Sequence, residues 1–297
     1  MMSDRQPLVT IYIPTHNRSA LLQRALASVL AQTYPALEII VVNDGSQDET
    51  NAVVQALMSQ TDDLILLENE SPRGACYSRN RAIDIARGEF ITGLDDDDEL
   101  KPDHIETLLK HFDPELHSFV SVSTIEDTGQ GRFYRDDGAG VIGLDAILHN
   151  NVIGNQVLTR TQYLQQIGGF DVEFPASQDY DTWVRLIQHF GPGLKLREAT
   201  YVWHTGHEMN RITNNNSKRM KALDMFYRKH SHLMSEGQKS SFKILQYKSA
   251  PDSYSLFKML KHINRHNYKS ALSLYVNLRL PMIGRLWRQL KIALNRG

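Results

Sequence analysis

The amino-acid sequence predicts an α/β protein in which helices cover a mainly parallel β-sheet. Strand-like and helix-like segments alternate four times in the first half of the chain, which is the pattern of successive β-α units. Polar loops follow the predicted strands, as they do at the ligand-binding edge of an open parallel sheet. The composition, 41% apolar and 23% charged over 297 residues, is typical of a globular protein and argues against disorder.

The first two β-α units are predicted from changes of hydrophobic period. An apolar run at 9–13 indicates a buried strand, and apolar residues at helical spacing from 21 to 30 follow it, with Ser19 as the expected N-cap. A second apolar run at 37–42 precedes a helical pattern at 51–58. Two parallel neighbouring strands need a long crossover connection, and each predicted helix supplies one.

The next two units repeat the pattern. A strand is expected at 64–67 and a helix at 74–86. Gly88 is expected to end this helix, since glycine often follows a helix C-terminus. A fourth strand is expected at 90–94, and Pro102 suits the first turn of a helix that continues through Leu109. Four such units place the carboxyl ends of four strands along one edge of the sheet.

An acidic run directly follows the fourth predicted strand and comprises Asp95, Asp96, Asp97, Asp98 and Glu99. Like charges at this density repel one another, so a cation or hydrogen-bond donors must compensate them unless the loop is fully solvated. Mg²⁺ and Mn²⁺ bind one or two carboxylates and take their remaining ligands from phosphates and water. The run therefore indicates a divalent-metal site, with a solvated acidic loop as the alternative.

Two further polar loops, 14–18 and 43–48, end the first and second predicted strands. In a parallel sheet they reach the same edge as the acidic run. Such loops suit a mononucleotide pocket, in which amide, hydroxyl and carboxylate groups contact phosphate, ribose and base. The sequence contains neither the G-x-G-x-x-G pattern of dinucleotide-binding folds nor the G-x-x-x-x-G-K-[ST] pattern of P-loops, which argues against both classes.

An ordered set of motifs resembles that of the family 2 glycosyltransferases, which have the nucleotide-diphospho-sugar transferase (GT-A) fold. The motifs are IPTHNR at 13–18, VVNDGS at 41–46, GEFITGLDDDD at 88–98, GGFD at 168–171 and QDYDTWVRL at 178–186. The resemblance covers roughly residues 7–215. It implies a metal-dependent, inverting transfer of a sugar from a nucleotide diphosphate, normally UDP, to an acceptor hydroxyl.

The resemblance also implies a nucleotide pocket, with Asp44 accepting a hydrogen bond from the base. The expected pocket residues lie in the three polar loops and the third helix: Pro14, Thr15, Asn17, Asp44, Arg79, Asp95 and Asp96. Family members often have Asp at the position of Asn43, and His16 replaces a common Tyr that stacks on the base. A surface role for His16 is the alternative.

The same resemblance implies the ligands of a bound Mn²⁺ or Mg²⁺. Asp95 and Asp97 form the family's D-x-D motif, with Asp97 as the main metal ligand. A late histidine sometimes joins the metal in related folds, and His204 is the candidate here, with His207 as its neighbour. The polar loop 211–217 is expected to close over the donor.

Asp179 is implied as the catalytic base, which takes a proton from the acceptor hydroxyl. The family motif is usually Glu-Asp, whereas this chain has Gln178-Asp179. Asp179 also opens a predicted helix, where a carboxylate can simply cap the N-terminus, so this alternative stays open. Asp181 is expected to support the site rather than act in it.

The expected domain organisation is a GT-A domain at 1–217 and a helical C-terminal extension at 218–297. Within the first, the nucleotide-binding half covers about 7–112 and the acceptor half 113–217. After Asp252 the extension carries nine Lys and Arg residues and no acidic residue. Its apolar positions recur at helical spacing as far as Trp287 and beyond. Such helices either pack on the catalytic domain or lie on anionic lipid.

The sequence also bounds location, partners and alternatives. The sequence shows no secretory signal and no apolar run of ~18 residues, and it contains a single cysteine. We therefore expect a cytoplasmic protein, which also associates peripherally with the inner face of the membrane. The expected partners are a nucleotide-diphospho-sugar and a glycan or lipid-linked sugar acceptor, not nucleic acid, in bacterial surface polysaccharide or lipopolysaccharide assembly. The alternatives are a sugar nucleotidyltransferase and a non-catalytic nucleotide-sugar binding protein.

Overall fold

The computed structural model describes residues 6–59, 61–135, 138–206, 216–280 and 282, and these divide into two compact units. The first unit comprises the described residues up to Leu144, the segment Val152–Glu173 and the described residues from Gln178 to 206. The second takes Asp145–Asn151, Phe174–Ser177 and the described residues from 216 onwards. A domain boundary after residue 217 stays a prediction.

Ten strands of the described residues form one sheet in the first unit: β1 (Val9–Thr15), β2 (Leu37–Asn43), β3 (Leu64–Glu68), β4 (Phe90–Gly93), β5 (Glu99–Leu100), β6 (Phe119–Asp127), β7 (Arg132–Arg135), β8 (Gly140–Ile142), β9 (Leu158–Arg160) and β10 (Gly193–His204). Their main order is β3-β2-β1-β4-β9-β6-β10-β5, while β7 pairs with β6 and β8 with β10. Strands β1 to β4 pair in parallel, as do β6 and β10, whereas the short β9 lies antiparallel between β4 and β6. The predicted mainly parallel sheet is confirmed.

The helices of the described residues alternate with these strands as predicted. In the first unit they are α1 (Ser19–Leu30), α2 (Thr50–Met58), α3 (Ala75–Ile85), α4 (His104–Lys110), α6 (Thr161–Gln166) and α7 (Gln178–Phe190), and α5 (Leu144–Ile147) begins there. In the second unit they are α8 (Asn216–His230), α9 (Glu236–Ser249), α10 (Leu256–His262) and α11 (Tyr268–Arg279).

Two helix starts differ from the predicted ones. Ser19 is the first residue of α1 rather than its N-cap, and its N–H donates to Asp48 Oδ2 at 2.9 Å, so a carboxylate from another loop caps this helix. Helix α4 begins at His104, beyond Pro102. Pro102 lies instead in a turn whose carbonyl accepts from Thr33 N at 2.8 Å, a tertiary contact that the local sequence does not reveal.

Gly88 does not close α3 as predicted, because the helix ends at Ile85 and Gly88 lacks a positive φ. The reason for glycine at this position is a close approach to β1. A Cβ on Gly88 would lie 2.6 Å from Thr10 N and 2.6 Å from Phe90 O, which no side chain tolerates.

The core of the first unit is built on β1. Every residue of β1 is buried, and Ile11 and Ile13 pack in one cluster with Leu22 and Leu26 of α1. A strand covered on both faces reads as a continuous apolar run, which explains why its sequence does not alternate.

The second unit consists mainly of α8 to α11. Helix α9 begins with a capping box, in which Ser235 N donates to Gln238 Oε1 at 2.7 Å and Gln238 N donates back to Ser235 Oγ. A small apolar core joins α9 to the segments after it, and it comprises Ile244, Tyr254, Met259 and Ala271. None of the helices in the described residues has the length and apolar character needed to cross a membrane.

Candidate active site

The carboxyl ends of β1, β2 and β4 lie side by side at one edge of the sheet. Thr15 at the end of β1 is in register with Asn43 at the end of β2, and Tyr12 is in register with Gly93 at the end of β4. Parallel pairing therefore brings together the three loops that the sequence predicted to meet. Hydrogen bonds between side chains, and between side chains and backbone, join the three loops.

Arg18 and Thr15 compensate part of the acidic run. Arg18 Nη1 donates to Asp96 Oδ1 at 3.0 Å and to Asp97 Oδ2 at 3.3 Å, and Thr15 Oγ1 donates to Asp96 Oδ2 at 2.8 Å. Burial raises the pKa of Asp96 to about 6 against the opposing effects of Arg18 and Thr15. Asp96 and Asp98 are only 6% and 1% exposed, so the run is not a solvated loop.

Strand β10 holds the far end of the run. Tyr201 Oη donates to Asp98 Oδ2 at 2.8 Å, and the backbone N–H of His204 donates to Asp98 Oδ1 at 3.0 Å. Burial, reinforced by neighbouring carboxylates of the run, raises the pKa of Asp98 well above its ordinary value. Glu99 Oε1 lies 3.1 Å from Arg24 Nε. Asp98 and Glu99 therefore anchor the loop to the rest of the unit.

Asp44 lies buried at the end of β2, with its carboxylate against the loop that precedes α3. Oδ1 accepts from Asn69 Nδ2 at 2.6 Å and from Arg73 N at 2.8 Å, while Oδ2 accepts from Gly74 N at 2.7 Å. Gly74 has a φ of +90°, which lets the loop turn toward this carboxylate. Since a carboxylate has about four acceptor sites, one remains for a nucleotide base. Asp44 thus holds the loop before α3, and its contact with a base stays a prediction.

Asn17 ties the loop after β1 to the loop after β2. Its backbone N–H donates to Ser46 Oγ at 2.9 Å, and its Oδ1 accepts from Gln47 N at 2.7 Å. A φ of 52° turns the chain here, a conformation that asparagine adopts more readily than most residues. Pro14 is buried within β1, and His16 is exposed beside Asn17. Their contacts with a nucleotide stay predictions.

Asp95 is held by one guanidinium and two amides. Arg79 Nη2 donates to Asp95 Oδ1 at 2.9 Å, Gln156 Nε2 donates to the same oxygen at 3.0 Å, and Asn155 Nδ2 lies 3.4 Å from Oδ2. Gly93 leaves room for this arrangement, because a Cβ there would lie 2.2 Å from Gln156 Oε1. The buried Nε and Nη1 of Arg79 have no hydrogen-bond partner among the described residues, and oxygens of a ligand or of water would satisfy them.

Asp179 lies in the first turn of α7 and belongs to the same electrostatic group. Burial raises its pKa to about 6, a backbone hydrogen bond from Tyr180 and the charge of Arg79 lower it, and Asp95 raises it. A carboxyl that titrates near neutral pH is suited to act as a general base. The backbone hydrogen bond also supports the helix-cap interpretation, so both roles are compatible with the geometry.

His204 lies at the end of β10 with its ring between two carboxylates. Nε2 is 2.7 Å from Glu99 Oε1, and Nδ1 is 3.9 Å from Asp127 Oδ2. A metal held by Asp97 would have to replace the Glu99 contact in order to use Nε2. Ligation by His204 stays a prediction, while His207 and residues 211–215 lie outside the described residues.

Among the described residues, five side chains contact the acidic run without having been predicted as site residues: Arg18, Arg24, Asn155, Gln156 and Tyr201. Arg18 could have been found, because it ends the same polar loop as Thr15 and Asn17. Asn155 and Gln156 lie 60 and 61 residues beyond Asp95 in the sequence, and no local pattern marks them.

Comparisons of this chain with known proteins agree on one family. Residues 10–168 match the family model described as Glycosyl transferase family 2. The chain is 35% identical over 233 residues to the "Putative colanic acid biosynthesis glycosyl transferase WcaA" of Escherichia coli (strain K12), across 75% of this chain and 81% of the relative. It is 40% identical over 105 residues to a "GalNAc(5)-diNAcBac-PP-undecaprenol beta-1,3-glucosyltransferase" of Campylobacter jejuni, across 35% of this chain and 34% of the relative.

Solved structures show the same fold at low sequence identity. S. aureus TarS 1–349 superposes with a TM-score of 0.64 at 17% identity, across 91% of this chain and 80% of that one. The mannosyltransferase PcManGT from Pyrobaculum calidifontis, solved with GDP-Man and Mn²⁺, gives a TM-score of 0.59 at 18% identity, across 96% of this chain and 85% of that one. With its three strand-end loops converging on one acidic edge and its sequence matched across more than half its length, this chain belongs to glycosyl transferase family 2 and has the GT-A fold.

Proposed function

We propose that this protein transfers a sugar from a nucleotide-diphospho-sugar to an acceptor hydroxyl, in a metal-dependent reaction that inverts the anomeric configuration. The observation that carries the proposal is the grouping of Asp95, Arg79 and Asp179 at the carboxyl edge of the sheet. In this grouping Asp95 would supply an oxygen ligand for a cation, Arg79 a guanidinium for phosphate and Asp179 a carboxyl base. Sugar transfer needs these groups, because a nucleoside diphosphate has to depart and a hydroxyl has to attack.

The donor is assigned to the loops after β1, β2 and β4. Asn17 and Asp44 would bind the nucleoside, and Arg79, with its Nε and Nη1 otherwise unpartnered among the described residues, would donate to diphosphate or ribose oxygens. Solved structures with this fold were obtained with UDP-GlcNAc in one case and GDP-Man in another. A UDP-sugar is our first choice of donor, and a GDP-sugar is the alternative.

The carboxylates of the acidic run fit a divalent ion. Asp95 and Asp97 offer hard oxygen donors two positions apart, the type of ligand that Mg²⁺ and Mn²⁺ prefer. Within the described part of the chain, no group of three or more His, Cys, Asp or Glu side chains is placed to hold a metal ion. Two carboxylates would therefore bind the ion together with donor phosphates and water. When bound, the ion supplies charge stabilisation for the departing diphosphate.

Asp179 is the proposed base. Its carboxylate accepts the proton of the acceptor hydroxyl as that oxygen forms a bond to the anomeric carbon. The bond from the anomeric carbon to the diphosphate oxygen breaks, and the electron pair leaves with the nucleoside diphosphate. Because attack and departure occur on opposite faces of the sugar, one displacement inverts the configuration.

The proposed acceptor is a lipid-linked glycan in bacterial surface-polysaccharide assembly. The E. coli relative is named for colanic acid biosynthesis, and the C. jejuni relative is named for an undecaprenol-linked acceptor. An acceptor with a polyprenyl anchor lies at a membrane surface. A protein that modifies it gains from lying at the same surface, on the cytoplasmic side.

The described part of the C-terminal extension supports a membrane contact through α10. Phe257 and Leu260 are 75% and 62% exposed, and Lys258 and Lys261 alternate with them. By contrast, Ile263 packs against the small core of the second unit, so this part of the extension is not available to a membrane. Packing of the extension on the catalytic domain stays the alternative. The predicted helix around Trp287 lies outside the described residues.

We expect the double variant Phe257→Ser, Lys261→Glu to bind anionic vesicles at least about tenfold more weakly than the parent at low salt. One lost cation accounts for roughly 1 kcal/mol, and the lost aromatic ring adds to it. The measurement is co-sedimentation with vesicles of phosphatidylcholine and phosphatidylglycerol. These substitutions are sharper than truncation after Asp252, which would remove Tyr254 and Met259 from a packed core.

Leu116→Ser is the matched control, because Leu116 is 62% exposed in the first unit and lies far from the extension in sequence. It should leave vesicle binding unchanged. Equal binding by the parent and the α10 double variant would remove the support for a membrane contact.

The experiment that tests the proposed function is release of nucleoside diphosphate from a donor panel of UDP-glucose, UDP-galactose, UDP-N-acetylglucosamine, dTDP-rhamnose and GDP-mannose. We expect release from one panel member with Mn²⁺ or Mg²⁺ and none with a chelator. Binding without release under all conditions would favour a non-catalytic binding protein. Formation of a nucleotide sugar from a nucleoside triphosphate and a sugar phosphate would favour a nucleotidyltransferase.

Asp44→Ala is expected to weaken UDP binding by about 1–3 kcal/mol, or about 5- to 150-fold, through loss of a charge-assisted hydrogen bond. It should also lower the melting temperature, because three donors lose the buried carboxylate that accepts from them. Calorimetric titration of UDP at a temperature where the variant is folded separates the two effects.

Asp48→Ala is the control for Asp44→Ala. Asp48 also accepts backbone hydrogen bonds in the loop after β2, from Ser19 N and Thr50 N, but no nucleotide role is assigned to it. Unchanged UDP affinity in Asp44→Ala, together with a lower melting temperature, would leave Asp44 as an anchor of the loop before α3 only.

A further inference from the structure

A cavity of about 110 Å³ opens in the first unit at the point where the sheet splits. Strand β9 pairs with β4 as far as Ile91 and with β6 as far as Val120. Thr92 and Ser121 are the next residues on those two strands, and both line the cavity. Since one water molecule needs roughly 10–15 Å³ of such cavity volume, the cavity has room for several.

Three residues of the lining each carry a buried polar atom that lacks a hydrogen-bond partner among the described residues: Thr92 Oγ1, Ser121 Oγ and His104 Nε2. The three side chains are 1%, 1% and 2% exposed. Native proteins normally satisfy such atoms with protein, water or ligand, because leaving them unpaired costs free energy. Their place in one cavity indicates a polar occupant that supplies the missing bonds.

The buried end of the cavity is electrically neutral. His104 Nδ1 lies 2.7 Å from Thr200 Oγ1, and burial lowers the pKa of the imidazole to about 3, so the ring is uncharged near neutral pH. Arg135 is the charged residue among the lining residues described, and it is exposed. Two hydroxyls and a neutral imidazole match hydroxyl groups of a ligand better than they match a phosphate or a carboxylate.

The cavity adjoins the acidic run. Asn155 and Gln156 line it, and their amide nitrogens lie 3.4 and 3.0 Å from the Asp95 carboxylate. Tyr201 and Trp203 also line it and give it an aromatic wall. Aromatic surface combined with a few convergent polar atoms is typical of a pocket for a small ligand.

We propose that this cavity binds the hydroxyl-bearing edge of a sugar ring during transfer, an assignment that rests on the proposed function. Thr92 Oγ1, Ser121 Oγ and His104 Nε2 bond hydroxyls of the ring, and Trp203 packs against its C–H face. The sugar belongs either to the donor or to the end of the acceptor, because both carry the same hydroxyl chemistry. The three polar side chains then take part in deciding which sugar is accepted.

The test uses Ser121→Ala and Thr92→Val, each of which removes one hydroxyl with little change of shape. UDP and the panel member that the unsubstituted protein turns over are titrated calorimetrically, and methyl glucoside and methyl galactoside are titrated into the UDP complex. If the donor sugar occupies the cavity, each variant binds the nucleotide sugar about fivefold more weakly and UDP equally well. If the acceptor sugar occupies it, the fivefold loss appears with the methyl glycosides instead.

Ser123→Ala is the matched control. Ser123 is buried in the same strand, but its Oγ donates to Leu196 O at 3.0 Å, and it is not among the lining residues. Unchanged affinities for nucleotide sugar and glycoside in both cavity variants would overturn the proposal and leave the cavity as a water site. An equal loss in Ser123→Ala would also overturn it, because the effect would then belong to strand β6 as a whole.

Failure of the proposed function has a different signature. If the unsubstituted protein binds neither UDP nor any member of the donor panel with Mn²⁺ present, the assignment as a transferase of these donors fails. A crystal soaked in methyl glucoside then tests the cavity by itself. Density for a sugar ring in the cavity supports sugar binding, and density for water alone overturns it.

Discussion

Asp97→Asn is expected to lower metal-dependent turnover by about 100-fold or more while the fold survives. An amide carries no negative charge and is a poorer ligand than a carboxylate for a hard divalent cation. Arg18 keeps its 3.0 Å contact with Asp96, and the introduced amide oxygen can still accept from it, so the free energy of unfolding should change by only about 1 kcal/mol. The measurements are kcat with Mn²⁺ and the affinity for Mn²⁺ in the presence of UDP.

The control is Asp103→Asn, a substitution of an exposed carboxylate before α4 whose side chain makes no capping hydrogen bond to that helix. It should leave both Mn²⁺ affinity and kcat near the parent values. Near-normal Mn²⁺-dependent turnover in Asp97→Asn would show that Asp97 is not the metal ligand.

Asp179→Asn is expected to cut transfer on the order of 10²–10⁴-fold, because a general base contributes about that much to rate. UDP affinity should stay almost unchanged, since the proposed base would act on the acceptor hydroxyl and not on the nucleotide. Single-turnover transfer and calorimetric titration of UDP measure the two effects separately. Transfer at the parent rate would leave Asp179 as a helix cap.

The same assignment predicts a pH dependence. Burial raises the pKa of Asp179 to about 6, and a base acts only when deprotonated, so kcat/KM should fall about tenfold per pH unit below pH 6 rather than below pH 4. Asp96 also has a pKa raised to about 6, so the parent profile alone does not identify the group. The residual activity of Asp179→Asn should lack the acidic limb.

Asp171→Asn is the matched control for both Asp179 experiments. Asp171 lies in the segment before α7, and its Oδ1 accepts from Glu173 N at 3.1 Å. It should keep the parent rate and the acidic limb. An acidic limb that persists unchanged in Asp179→Asn would assign the titration to another carboxyl and refute the role of base.

Most of the fold was predictable because local periodicity encodes it. A continuous apolar run such as β1 and a helical stripe such as that of α1 are readable within a dozen residues. The helix ends were less predictable. Asp48 caps α1 from another loop, and Gly88 is glycine because β1 passes close to it, so both depend on partners distant in sequence.

The candidate site was predictable where it follows strand ends. Thr15, Asp44 and Asp95 come at the ends of three parallel strands, and topology alone brings such positions together. The partners of these residues were not predictable. Gln156 reaches Asp95 only because β9 inserts between β4 and β6 and Gly93 lacks a side chain.

The sequence by itself determined the β-α order, the edge on which the acidic run lies and the resemblance to a sugar-transferring family, because each depends on residue type and near neighbours. The tertiary structure decided how the run is neutralised and what surrounds it. Arg18 bridges Asp96 and Asp97, Tyr201 donates to Asp98, and Gln156 donates to Asp95. These contacts join segments up to about a hundred residues apart, and only packing of the whole chain brings such segments together.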